Sequence, residues 1–161
     1  MKNLLKKMTI GGYMLLAGAV IALVALIVII ISNSPNSFDF WFVQTPWVIL
    51  LILAAVACIG GALFFALKKG DGIIPTVLVI AAVMALVFAL IQTIEGKQDV
   101  LGTVMFSDLE KGYGPAETAC YGGFTGMIIE IVSAVVVMVS LFFGYSKAEK
   151  AEPQPEAAPA E

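Results

Sequence analysis

No charged residue occurs between Thr9 and Ser32, between Thr45 and Leu67, or between Gly72 and Ile94. A fourth apolar stretch is interrupted by a single acid, Glu130. A bilayer core about 30 Å thick is crossed by roughly 20 apolar residues in an α-helix rising 1.5 Å per residue. The stretches Thr9–Ile31, Pro46–Leu67, Ile73–Ile94 and Tyr121–Phe143 all reach that length. A buried helix of a soluble domain would be shorter and show a polar stripe. A membrane β-strand would alternate apolar and polar residues, and Val24–Ile31 does not alternate. In hydrocarbon the backbone must satisfy its own hydrogen bonds, so the β-branched residues there weigh little against a helix. The pattern predicts an all-α membrane protein, an antiparallel bundle of four transmembrane helices.

Lysine placement orients the bundle. Lys2, Lys6 and Lys7 precede the first span, Lys68 and Lys69 follow the second, and Lys147 and Lys150 follow the fourth. Only Lys97 and Lys111 fall on the opposite side. The positive-inside bias then puts both termini in the cytoplasm. The Lys-rich start followed by an apolar run resembles a secretory leader, but the run is too long and ends in Ile29-Ile30-Ile31-Ser32-Asn33, a poor cleavage site. It reads as an uncleaved first span. Residues 1–147 form the expected bundle, with a net acidic outer loop at 95–120. Residues 148–161 are Ala, Glu and Pro with one Lys and one Gln. Such a segment buries too little to offset the entropy of ordering, so a disordered cytoplasmic tail is expected. At the outer edge, Phe38, Phe40, Trp41, Phe42 and Trp47 suit an interfacial aromatic belt.

Composition narrows the chemistry. Histidine is absent and all nine basic residues are lysines. The commonest metal ligand, the usual near-neutral acid–base group and the bidentate phosphate clamp are therefore missing. Nucleic-acid binding is not expected, nor is a metal or a cofactor. No nucleophile–base set, phosphate loop or paired intramembrane aspartates occurs, so the chain does not read as an enzyme. Cys58 and Cys120 fall at different depths, with no CxxC spacing, and a disulfide between them is not expected.

Glu130 is the one strong chemical feature. It stands near mid-bilayer, where a carboxyl group costs a few kcal/mol even on lenient insertion scales. No lysine lies within the four expected spans, so no built-in countercharge is expected. Candidate polar partners are Gln92, Thr93, Thr125 and Ser133. Gly122, Gly126, Glu130 and Ala134 recur every four residues and so share one helix face. The Gly122/Gly126 pair is a G-x-x-x-G motif that admits a close neighbouring helix. Further small-residue ladders are Gly18/Ala22, Ala57/Gly61 and Ala81/Ala85/Ala89.

Four spans with one buried glutamate are also found in small multidrug exporters, but theirs lies in the first span and their loops are much shorter. The outer-loop cysteine motifs of tetraspanins and claudins are absent, and no family is assigned on these grounds. Two functions compete. The favoured expectation is a non-enzymatic accessory, assembly or scaffold subunit of a membrane complex, its Gly122/Gly126/Glu130 face meeting another membrane protein or a second copy. The alternative is an oligomeric proton- or cation-coupled small transporter with Glu130 as the ion site and an unknown small substrate. The lysine-only charge set and the apolar fraction fit a bacterial inner membrane.

Overall fold

The computed structural model of the protein describes residues 8–32, 44–106 and 114–146. These form four α-helices, named here α1 (Ile10–Ser32), α2 (Gln44–Lys69), α3 (Ile73–Phe106) and α4 (Gly114–Ser140). Each contains a segment long and apolar enough to cross a membrane: Ile10–Ser32, Thr45–Lys69, Ile73–Gln98 and Glu117–Ser140. The chain is a small multi-pass membrane protein of the four-helix-bundle type. Each helix packs on its sequence neighbour, and α4 closes the ring on α1. The packing is most extensive within two pairs, α1 with α4 and α2 with α3.

The core interleaves small residues, among them Ala22, Ala25, Ala55, Ala62, Ala82 and Ala89, with large ones such as Leu15, Ile52 and Leu86, all fully buried. Large side chains such as Ile27, Leu50, Phe64, Phe88 and Ile128 point outward. Lipid tails are as apolar as leucine, so helix association in a bilayer relies on close van der Waals approach, which small residues permit. At Gly126 an added Cβ would stand 2.6 Å from Ile29 Cγ1 of α1, and at Gly11 it would stand 2.6 Å from the Phe143 carbonyl oxygen. Two expected ladders face protein only in part. Ala57 of α2 and Ala81 of α3 are exposed, whereas Gly61 lies against Leu78, Ala85 packs on the core and Ala89 is fully buried. In a helix that is apolar all round, small-residue spacing alone does not say which side faces protein.

Helix ends follow local chemistry rather than the edge of the apolar run. α2 stops at Gly70, whose φ of 82° is the left-handed conformation glycine adopts without a Cβ penalty. Its N–H closes on the Ala66 carbonyl at 2.9 Å, and Lys68 and Lys69 occupy the last turn, where the helix dipole favours cations. The Gly72 carbonyl accepts the Thr76 hydroxyl at 3.0 Å, and Pro75 falls in the first turn of α3, where its missing N–H costs nothing. α4 ends at Ser140, earlier than the apolar run. Leu141, Phe142 and Phe143 then close three-residue turns onto Met138, Val139 and Ser140. The largest departure is at the other end, where 95–106, expected as loop, is helical; α4 begins at Gly114, beside Pro115, whose type suits a first helical position and sets the expected start of that helix.

One end of the bundle is tied by polar contacts. The Asp71 carboxylate, in the α2–α3 turn, accepts the Tyr145 N–H at 3.0 and 3.1 Å and the Ser146 N–H at 3.1 Å. The Thr9 N–H donates to the Tyr145 carbonyl at 3.3 Å, the Thr9 hydroxyl donates to the Gly144 carbonyl, and Met8 and Ser146 form an antiparallel bridge. A Cβ at Gly144 would stand 2.6 Å from Asp71 Oδ2, so glycine is what lets the carboxylate approach. The start of α1, the α2–α3 turn and the segment after α4 therefore meet at one end.

Candidate functional site

α4 positions the site. Gly122, Gly126 and Ser133 face α1: Gly122 lies against Ser32, Gly126 against Ile29, and the Ser133 hydroxyl donates to the Gly18 carbonyl at 2.9 Å. Gly123 faces α3, where it lies under the side chain of Lys97. At 100° per residue, Glu130 projects between those two directions, toward the bundle axis. It is 0 % exposed, and neither carboxyl oxygen has a hydrogen-bond partner. The α1–α4 register sets it level with Ala22, Ala25 and Leu26, all buried and apolar. Most buried polar groups in proteins are paired, and one that is not calls for an explanation.

The four candidate partners do not reach it. Gln92 donates through Nε2 to Glu95 Oε2 at 3.1 Å on its own helix. The Thr93 and Thr125 hydroxyls donate to the carbonyls of Ala89 and Tyr121, one turn back, at 2.9 and 2.8 Å. Threonine hydroxyls in helices commonly take this route, because the carbonyl four residues back is always within reach. Ser133 is engaged across the seam with Gly18. Ala134 is half-buried against the core. The Gly122/Gly126/Glu130 face, expected to receive another protein, is covered by α1 and the bundle interior of the same chain. The G-x-x-x-G geometry serves an intramolecular helix equally well.

Lys97 is the residue the sequence misplaces. Expected in a solvated outer loop, it lies in α3 inside the span Ile73–Gln98 and is 3 % exposed. Its stem crosses Gly123, whose added Cβ would stand 2.9 Å from Lys97 Cε. Cys120 is buried and free, and Cys58, half-buried in α2, is free as well. The missed signal was Gly123 itself, a bare backbone on which a long apolar stem can lie with its head displaced toward the helix end. Among the described residues no three His, Cys, Asp or Glu side chains cluster as a metal site would require. Of the aromatic belt, Trp47 is 58 % exposed in the first turns of α2, while Phe38, Phe40, Trp41 and Phe42 lie outside the described residues, as do Lys111 and the tail.

Outside the spans, the Tyr145 phenol is pushed above its usual 10.0, by burial first and by the neighbouring Asp71 carboxylate second. Compared with protein-family models, with curated proteins and with solved structures, the chain matches none.

Proposed function

We propose that this membrane protein is a non-enzymatic accessory, assembly or scaffold subunit of a membrane complex, with both termini in the cytoplasm of a bacterial cell. The observation that carries the reading is the isolation of Glu130. A cation site needs several oxygen ligands at once, and a proton relay needs a next group to receive the proton. Glu130 has neither carboxyl oxygen bonded, and the nearby hydroxyls and amide are committed to other acceptors. A carboxyl left unpaired on the bundle axis is what a helix of a partner subunit, bringing a hydrogen-bond donor, would satisfy on assembly. Such a helix would have to enter between helices of the bundle, and α1 with α2 and α3 with α4 pack less extensively than the two main pairs.

The same burial supports the opposed reading, a transporter with Glu130 as its ion site, and there the cargo at that position is a proton, the one cation that needs no further ligands. Purification from the native membrane in a mild detergent, followed by intact mass measurement, separates the two. A second membrane protein at fixed stoichiometry is the expected result. A homo-oligomer with nothing attached, whose proton-driven flux disappears in Glu130→Gln while assembly survives, overturns it.

A further inference from the structure

A cleft of about 330 Å³ opens at the clasped end of the bundle, where the α2–α3 turn meets the membrane edge. One wall is apolar, formed by Phe65, Ile73, Ile74 and Pro75, and the rim carries Lys69 and Asp71. The apolar wall continues onto the lipid-facing surface, since Ile73 and Ile74 are 83 % and 51 % exposed and Val77, one turn on, is also exposed. The two charges at the rim do not play equal parts. Asp71 holds its carboxylate against the end of α4, where it accepts the Tyr145 and Ser146 N–H groups. Lys69 is the last residue of α2 and is exposed, so its aliphatic stem can lie along the apolar wall while its ammonium reaches toward headgroups. Its neighbour Lys68 is directed elsewhere, with Nζ 5.5 Å from the centre of the Phe64 ring.

We infer that this cleft is a binding site for one anionic phospholipid, whose acyl chain lies along Phe65, Ile73 and Ile74 and whose phosphate pairs with Lys69. Charge complementarity favours this occupant, because α2 ends in two lysines, Lys68 and Lys69, beside the cleft, and basic pockets at the ends of transmembrane helices recognise acidic headgroups. The walls explain why the source is a lipid and not free phosphate: an inorganic anion would leave the apolar side of the cleft uncovered. The consequence is structural as well. The turn that lines the cleft also carries Asp71, so a bound lipid braces the clasp joining the start of α1 to the end of α4.

The test uses the full chain in detergent micelles carrying equal amounts of phosphatidylglycerol and phosphatidylcholine, read by native mass spectrometry and by thermal unfolding. Wild-type protein retains one phosphatidylglycerol in preference to phosphatidylcholine and melts higher in its presence. Lys69→Gln lowers that preference about fivefold, as expected for one lysine at an anionic surface, while Lys69→Arg keeps it. Equal retention of the two lipids by wild type, or an undiminished preference in a monodisperse, helical Lys69→Gln, overturns the site. A rise in melting with inorganic phosphate equal to that with phosphatidylglycerol also overturns it, assigning the cleft to a free anion.

Discussion

Two carboxylates in this protein have opposite surroundings. Asp71 stands at the polar end and accepts two backbone N–H groups from the segment beyond α4. Glu130 stands on the bundle axis and accepts none. The first is accounted for by the fold, since without it the turn after α4 would lose the group that pins it to the α2–α3 connection. The second is not, because its buried carboxyl oxygens meet no hydrogen-bond donor. An acidic residue whose burial is offset by nearby donors is accounted for by the fold; Glu130, with none, is not.

The sharpest way to break that contrast is to replace each acid by an apolar residue. Glu130→Leu is expected to raise the stability of the isolated bundle by about 1–3 kcal/mol, the cost of a buried polar group with no partner. Thermal unfolding in detergent reads it, and a lower melting temperature would place a structural partner at Glu130. Asp71→Ala is expected to act in the opposite direction and less strongly, by about 1–2 kcal/mol, because the hydrogen bonds it removes are charge-assisted but lie at an exposed end. Faster amide exchange at Tyr145 and Ser146 would locate the loss, and protection equal to wild type would remove the clasp from the account.

A smaller effect sharpens the polar end. The Tyr145 phenol is raised above 10.0 in the folded protein, so above that pH the unfolded chain releases this proton first. Stability from this group is complete below pH 10 and declines as pH rises through the folded value. Tyr145→Phe should remove that alkaline component, and Asp71→Asn should reduce it by withdrawing the neighbouring negative charge. Circular dichroism between about pH 9 and 11.5 follows it, and identical alkaline limbs in wild type and Tyr145→Phe would show that the phenol does not take part.

The four spans were legible because charge is excluded from a bilayer core, and the inward direction of Glu130 was legible because helical spacing aligns it with Gly122 and Gly126. Helix ends were not. Apolar composition reports where hydrocarbon stops, whereas α3 runs on through Glu95, Lys97 and Gln98 to Phe106, a stretch with no proline in which Gly96 and Gly102 weaken the helix without ending it. Lys97 was read as a solvated charge because its type suggests water, and only the bare Gly123 backbone opposite makes its burial feasible. The Asp71 clasp left no periodic trace either. Its donors are main-chain N–H groups 74 and 75 residues away, and every residue type except proline supplies those equally.

The pairing of α1 with α4 also bears on how the protein is made. Synthesis proceeds from the N-terminus, so α1 enters the bilayer first, yet the helix it packs on most extensively is the last to emerge. α2 and α3 can associate as soon as both have emerged, because they are adjacent in the chain and joined by the three-residue Gly70–Gly72 turn. α1 can meet α2 in the meantime, but its main contacts form only when Ser133 arrives opposite Gly18 and Tyr145 opposite Thr9. A ribosome stalled before α4 would therefore leave the small-residue face of the first helix without the helix that covers it in the finished bundle.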